Sequence, residues 1–200
     1  MLYINQQNPS PRSIQRVVDI LRNGGVIAYP TDTVYGIGCD IFNKKAIERI
    51  YQLKRKDKKS PLSFVCSDLS HISEFAKISN YAYRIMKRHL PGPYTFILNA
   101  SSSVPKVLMP RKKTVGIRIP DNNITLSIVK TLGNPVISTS ANISGQETGS
   151  DPYDIESQLK HSLDEIVDGG ILAGDPSTVI DLTGDMPVVL REGAGDCSWI

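Results

Sequence analysis

The 200-residue sequence has few cysteines, few histidines and no long apolar run. Its three cysteines, Cys39, Cys66 and Cys197, are odd in number and far apart, which argues against a disulfide framework or a zinc site and favours a reducing compartment. No stretch approaches the roughly 18 consecutive apolar residues of a membrane span. The N-terminal residues MLYINQQNPSPRS lack the basic and apolar regions of a signal peptide. We therefore expect a cytoplasmic protein with no membrane association.

Several common catalytic motifs are also missing. The sequence contains no GxxxxGK[ST] phosphate-binding loop and no GxSxG nucleophile elbow. Gly36-Ile37-Gly38 is not followed by the third glycine of a dinucleotide-binding fingerprint. The histidines His71, His89 and His161 are far from one another in the sequence, and no cysteine has a neighbour that would activate it. These absences argue against covalent catalysis by the protein.

The length fits one domain of roughly 100–200 residues, here 1–200, but the charge is unevenly distributed. Residues 1–145 contain 21 Lys and Arg against 8 Asp and Glu, whereas residues 146–200 contain 2 against 12. The densest basic clusters are Lys54–Lys59 and Arg111–Lys113. This asymmetry suggests a polyanionic partner or substrate, with a uniformly solvated surface as the simpler alternative.

Apolar periodicity predicts that helices and strands alternate along the chain. Ile14, Val17, Val18 and Leu21 form the apolar face of a helix that begins at Pro11 and ends at Gly24-Gly25. Further helices are predicted around 46–51, 82–89, 124–132 and 152–160, and strands at 26–29, 62–66, 94–98, 115–119, 136–139, 166–168, 178–182 and 188–190. This order predicts an α/β or α+β fold with a mixed sheet.

Five polar clusters adjoin the predicted strands. They are Thr31–Gly36, Ser60–Leu62, Thr95, Thr114 with Arg118, and Ser138–Gly145. Any one of them alone is more often a hydrogen-bonded turn than a site. Together, cations among hydroxyl groups suit a small anionic ligand. The clusters predict a site that positions substrates.

The same segments resemble a known family. PTDTVYGIG, PGPYTFIL, KTVGIRIP, PVISTSANISG, PSTVIDLT and VVLREGAGD follow, in order and spacing, the pattern of the YrdC/YciO family of threonylcarbamoyl-AMP synthases. The resemblance runs from about Val26 to Asp196 and is greatest to the single-domain YciO branch. It implies a YrdC-like α/β domain with a twisted sheet, flanking helices and a basic concave surface.

The resemblance also implies a function. Family members form threonylcarbamoyl-AMP and pyrophosphate from L-threonine, bicarbonate and ATP, with Mg²⁺ accompanying the ATP. Downstream threonylcarbamoyl-transferase proteins then modify tRNA, and the family implies tRNA or double-stranded RNA as a further partner. Since the threonine amine is the nucleophile, alignment and charge neutralisation can supply the catalysis.

Site residues follow from the resemblance, position by position. The implied catalytic tetrad is Lys54, Lys56, Ser140 and Asn142. The implied threonine-binding residues are Thr31, Thr33, Tyr35, Arg118 and Ser138. The implied ATP-binding residues are Lys56, Ser60, Thr114, Ser140, Asn142, Thr148 and Arg191. Arg118 is expected to bind the threonine carboxylate, Thr31 and Tyr35 to support Thr33, and Gly36 and Gly38 to be required by the backbone, with no metal site on the chain.

Three positions depart from the family pattern. Lys56 stands where the family usually has arginine, so it keeps the charge but loses the planar fork. Ser60 replaces a frequent asparagine, and Val65 replaces a frequent histidine of the threonine pocket. Two alternatives therefore remain open: an RNA- or ribosome-binding paralogue with weak or lost synthase activity, and an adenylate-forming enzyme for another amino acid.

Overall fold

The computed structural model describes residues 1–55, 61–109, 113–142 and 149–200. Six α-helices lie in these ranges: α1 Pro11–Arg22, α2 Lys44–Leu53, α3 Leu69–Phe75, α4 Asn80–His89, α5 Asn123–Leu132 and α6 Pro152–Leu159. In this described part of the chain, no helix is long and apolar enough to cross a membrane.

Eleven strands of the described chain form one sheet. They are β1 Leu2–Tyr3, β2 Ile27–Tyr29, β3 Gly36–Gly38, β4 Ser63–Val65, β5 Ala76–Lys77, β6 Tyr94–Ala100, β7 Thr114–Arg118, β8 Val136–Ser140, β9 Glu165–Asp168, β10 Thr178–Asp181 and β11 Val188–Arg191. Their order is β1-β9-β2-β3-β8-β4-β7-β6-β10-β11, with β5 beside β6. Strand β9 is parallel to β1 and β2, β4 to β7, and β6 to β10, while the other pairs are antiparallel. The predicted α/β class with a mixed sheet is confirmed.

Characteristic residues mark three of the helix ends, and the predicted start of α1 at Pro11 is confirmed. Pro11 is the first residue of α1, where its missing N–H is harmless. The Asn43 side chain accepts a hydrogen bond from the Ala46 N–H at 3.0 Å and so caps α2. Helix α5 ends at Gly133, whose φ of 81° is left-handed.

Three strands and one α-helix of the described chain were not predicted: β1, β3, β5 and α3. Gly36–Gly38, expected to lie in a loop, forms strand β3 between β2 and β8. The Tyr29 ring lies against both glycines, and a Cβ atom at Gly38 would come within 2.2 Å of the Ile137 carbonyl oxygen. This close approach gives both glycines the backbone role expected for them. Helix α3 is only seven residues long, and Asp68 caps it by accepting a hydrogen bond from the His71 N–H at 2.8 Å.

Helices cover the two faces of the sheet to different extents. On one face, α2, α3, α4 and α6 pack on a continuous apolar layer that includes Phe64, Phe96, Ile117 and Ile137. On the other face, α1 and α5 pack against each other and cover the half of the sheet around β1, β9 and β2. Beyond these two helices, the second face contains a cavity.

Candidate functional site

The floor of the cavity is a row of small side chains on one face of the sheet. Ser63 pairs with Ser138 on one side and with Gly116 on the other, and Gly116 pairs with Ile97. Residues paired across neighbouring strands point to the same face, so these residues form one surface. Because three of the four are serine or glycine, they leave a cavity of about 470 Å³. That volume suits a small-molecule ligand.

Thr95, Arg118 and Ser138 fall within the predicted strands 94–98, 115–119 and 136–139, and the structure confirms this placement. Thr95, Arg118, Ser138 and Ser140 lie within strands β6, β7 and β8. Strand β8 continues to Ser140, one residue beyond its predicted end, because Ser140 pairs with Gly36. Period-two alternation places these polar side chains over the cavity, while neighbours such as Phe96, Ile117 and Ile137 enter the apolar layer.

Two arginines give the cavity its charge. Within the described residues, Arg118 and Arg191 are its charged lining side chains, and no carboxylate lines it. Eight further lining residues of the described chain carry hydroxyl groups: Thr31, Tyr35, Ser63, Thr95, Ser138, Thr139, Ser140 and Ser177. This combination of guanidinium and hydroxyl groups agrees with the anionic ligand expected from the sequence.

Arg118 is nearly buried and is held by two residues of the loop that joins β2 to β3. Its Nη2 donates to Asp32 Oδ1 at 2.8 Å and to Thr33 Oγ1 at 3.0 Å. Burial lowers the pKa of Arg118, and the charge of Asp32 opposes that effect. Arg118 Nε and Asp32 Oδ2 are buried and have no hydrogen-bond partner in the described structure.

The hydroxyl groups of this loop form a chain that ends on the backbone. Thr31 Oγ1 donates to the Val34 carbonyl oxygen at 2.6 Å and accepts from the Thr33 N–H at 3.1 Å. The Thr33 hydroxyl, which accepts from Arg118, therefore donates to Thr31 Oγ1 at 3.0 Å. Thr31 lines the cavity, whereas the buried Thr33 orients Arg118 from behind.

The N-terminus of α5 fixes the position of this loop. Asn122 Oδ1 caps the helix by accepting from the Thr125 N–H at 3.1 Å, and Asn122 Nδ2 donates to the Thr31 carbonyl oxygen at 3.4 Å. The Thr125 hydroxyl donates to the Pro30 carbonyl oxygen. A helix that packs on the sheet thus fixes the backbone around Asp32.

Tyr35 lines the cavity, but its hydroxyl group binds another loop. It donates to the Gly170 carbonyl oxygen at 2.8 Å and accepts from the Gly169 N–H at 3.0 Å. Burial raises the pKa of Tyr35 to about 12, so the hydroxyl remains protonated at neutral pH. Tyr35 therefore connects the cavity wall to the loop at Gly169 and Gly170, and its predicted part in threonine binding stays a prediction.

Three members of the implied tetrad meet beside the cavity. Lys54, the residue that caps the C-terminus of α2, is 2% exposed, and its Nζ donates to the Ser140 carbonyl oxygen at 2.8 Å and to Asn142 Oδ1 at 2.6 Å. The Ser140 hydroxyl also donates to Asn142 Oδ1, at 2.7 Å. The ammonium group thus fixes the turn at the end of β8. The fourth member, Lys56, lies outside the described residues.

Arg191 forms the opposite wall through contacts with neutral groups. Its Nη2 and Nε donate to the Ser177 carbonyl oxygen at 2.7 and 3.1 Å. The Ser177 hydroxyl is 2.8 Å from Thr95 Oγ1. Burial lowers the pKa of Arg191. Val179 of β10 pairs with Arg191, whereas Ile180 pairs with Val189, so Leu190 is an extra residue that forms a bulge in β11. Both Leu190 and Arg191 line the cavity.

Some residues assigned from the sequence are not among the described residues that line the cavity. Ser60 and Thr148, like Lys56, lie outside the described residues. Thr114 pairs with Asn99 at the start of β7 and is not among the lining residues. Val65 is buried in the apolar cluster beneath α1 and α5.

Conversely, sequence reasoning gave Asp32 and Thr95 no individual role beyond membership of the polar clusters, and it assigned no role to Ser177. Asp32 and Thr95 lay in recognised motifs, but their partners are distant in the sequence. In the described part of the chain, no group of three or more His, Cys, Asp or Glu residues could hold a metal ion.

Comparison with known proteins identifies the family. The Sua5/YciO/YrdC family model, described as "Telomere recombination", matches residues 19–193. The chain belongs to this family. It is 45% identical to Escherichia coli YciO over 196 residues, covering 97% of this chain and 95% of that protein. It is 31% identical over 187 residues to the threonylcarbamoyl-AMP synthase of Vibrio vulnificus, covering 90% of this chain and 98% of that protein.

Solved structures of family members share the fold. The crystal structure of E. coli YciO matches with a TM-score of 0.94 and 44% identity, covering 98% of this chain and 97% of that one. Sua5 of P. abyssi complexed with L-threonine matches with a TM-score of 0.90 and 33% identity, covering 96% of this chain and 58% of that one. The family and fold expected from the sequence motifs are therefore confirmed.

Proposed function

We propose that the protein is an L-threonylcarbamoyladenylate synthase. The observation that carries the proposal is the cavity, whose described lining combines two guanidinium groups with many hydroxyl groups and contains no carboxylate. Such a lining suits substrates that carry a carboxylate and phosphates. Two relatives add support, since one is named threonylcarbamoyl-AMP synthase and another was solved with L-threonine.

The reaction requires positioning rather than a protein nucleophile. The threonine amine attacks the bicarbonate carbon, and loss of water gives a carbamate. A carbamate oxygen then attacks the α-phosphorus of ATP, and pyrophosphate leaves with the broken P–O bond. Holding the reactants in line and neutralising phosphate charge can supply most of the acceleration.

The proposed roles follow the positions of the side chains. Arg118 binds the threonine carboxylate, and Ser138, which lines the same cavity, also contacts threonine. Arg191 binds phosphate. Lys54 maintains the Ser140–Asn142 turn, whose polar groups contact the nucleotide. Mg²⁺ enters with ATP as part of that substrate. Lys56, Ser60, Thr114 and Thr148 remain predicted ATP-binding residues.

A pyrophosphate-release assay tests the proposal. Purified protein with Mg²⁺, ATP, bicarbonate and L-threonine should release pyrophosphate and form a product with the mass of threonylcarbamoyl-AMP. Omitting any one of the three substrates should abolish both signals, and replacing L-threonine by other amino acids tests the substrate range. Folded protein that forms no such product under these conditions would disprove the proposal.

Helix α4 favours a second candidate function, RNA binding. It exposes Tyr81, Tyr83, Arg84, Lys87 and Arg88, and none of these three cations forms an ion pair with another described residue. Cations bind phosphates and tyrosines can stack on bases. This candidate predicts salt-sensitive RNA binding that survives Asn142→Ala, and it fails if no affinity is measured at low salt.

A further inference from the structure

The two arginines of the cavity differ in their charge balance. Arg118 forms an ion pair with Asp32 at 2.8 Å, and the side chains are only 7% and 10% exposed. Arg191 donates to the carbonyl oxygen and the hydroxyl group of Ser177, which are neutral. In the described part of the chain it forms no ion pair with a carboxylate. The charge of Arg118 is therefore balanced by a carboxylate of the described chain, and the charge of Arg191 is not.

Arg118 keeps one nitrogen for a ligand. Its Nη2 already binds Asp32 and Thr33, and its Nε is buried. Nη1 binds none of the described residues and is not among the buried unpartnered atoms, so it is the donor left on the cavity side. A ligand carboxylate on Nη1 would lie close to the negative charge of Asp32 as well as to the guanidinium.

The carboxylate of Asp32 weakens the binding of simple anions to Arg118. In a poorly solvated site, charges a few ångströms apart interact much more strongly than in water, so Asp32 offsets much of the attraction of Arg118 for a phosphate or a lone carboxylate. An α-amino acid brings its own cation beside its carboxylate. Asp32 attracts that ammonium while Arg118 attracts the carboxylate, so the pair suits a zwitterion.

We propose that Asp32 is a specificity-determining residue, which makes the Arg118 subsite select a zwitterionic amino acid over simple anions and leaves Arg191 to attract phosphate. The inference rests on the proposed function, because it assigns the two substrates of that reaction to two parts of one cavity. Asp32 itself is held in place through the loop that α5 fixes.

Binding measurements without ATP test the inference directly. Isothermal titration calorimetry compares L-threonine with 3-hydroxybutyrate, which has the same carbon skeleton without the amine, and with inorganic phosphate. The wild-type protein should bind threonine at least about tenfold more tightly than 3-hydroxybutyrate. Equal affinity of the wild-type protein for the two ligands would overturn the inference without any variant.

Asp32→Asn then removes the charge and keeps the shape. It should strengthen 3-hydroxybutyrate binding about tenfold, change threonine binding by less, and make phosphate a competitor of threonine. Asp32→Glu should restore most of the discrimination, and Asp121→Asn, at an exposed aspartate, should leave it unchanged. A purely structural role predicts that both affinities fall in parallel, and that result would overturn the inference.

The inference and the proposed function can fail separately. If discrimination depends on Asp32 but no threonylcarbamoyl-AMP forms, the synthase assignment fails and the zwitterion subsite stands. If threonylcarbamoyl-AMP forms but the protein does not discriminate between the two ligands, the zwitterion subsite fails and the synthase assignment stands. If Asp32→Asn does not fold, Asp32→Glu and the wild-type affinity ratio still decide the question.

Discussion

The two faces of the central sheet come from alternate residues of the same strands but have opposite properties. In β4, Phe64 enters the apolar layer beneath the helices while Ser63 faces the cavity. In β7, likewise, Ile117 enters the apolar layer while Gly116 faces the cavity. One face thus contributes stability and the other leaves room for a ligand. Since a shift of one residue would exchange them, strand register is a requirement of the site as well as of the fold.

The largest expected effect on stability belongs to the covered face. Phe64→Ala should lower the free energy of unfolding by about 3–5 kcal/mol, because it removes a buried ring and leaves a cavity. Urea denaturation measures the change. Ser63→Ala, on the same strand but the other face, is the matched control and should change it by less than about 1 kcal/mol. Equal losses would contradict the division between the faces.

Lys54 connects the two faces, since α2 packs on the covered side and Ser140 faces the cavity. Lys54→Met keeps much of the length but leaves buried oxygens of Ser140 and Asn142 without their donor. We expect a loss of about 1–3 kcal/mol in unfolding free energy. Pyrophosphate release should fall as well, because the turn at the end of β8 loses its support. An active variant of unchanged stability would refute this role.

Gly116→Val should fill the cavity floor with little effect on the fold. The nearest contact of an added Cβ is the Ser63 hydroxyl at 2.5 Å, which can rotate away. Valine also favours strands, so the change in unfolding free energy should stay within about 1 kcal/mol. Threonine and ATP affinities should fall at least about tenfold, and Gly116→Ala should be milder. Calorimetric titration of both ligands measures this, and unchanged affinities would place the site elsewhere.

Arg191→Gln should have the smallest effect on stability, within about 0.5 kcal/mol, because the side chain is only partly buried. It removes the charge that no described carboxylate balances. The KM for ATP should rise about tenfold, while the affinity for threonine should change by less than about twofold. Steady-state kinetics with each substrate varied separates the two. Equal effects on both substrates would argue against separate subsites.

The sequence predicted much of the fold because many helix ends carry their own local signals. Asn43 and Gly133 mark such ends, and apolar runs mark most strands. Strand β3 was missed because two of its three residues are glycines, which usually indicate loops. Their place in the sheet depends on Tyr29, and that packing is visible only in three dimensions.

The site was predictable in its residue types and less so in its pairings. The motifs singled out Thr33, Arg118 and Ser138. In the structure Arg118 and Ser138 line the cavity, and the buried Thr33 accepts a hydrogen bond from Arg118. The importance of Asp32 arises from a contact with a residue 86 positions later. Spacing along the chain does not encode such contacts, because they follow from strand order and register.

The lining of the cavity runs from Thr31 to Arg191, so the site draws on nearly the whole chain. Strands β10 and β11, which close one wall, leave the ribosome after the other described strands of the sheet, and β10 must pair with β6, far earlier in the sequence. Such distant pairings form slowly because long loops must close first. A nascent chain that lacks these two strands therefore has no complete binding site, and ligand binding reports that both strands have been synthesised and have joined the sheet.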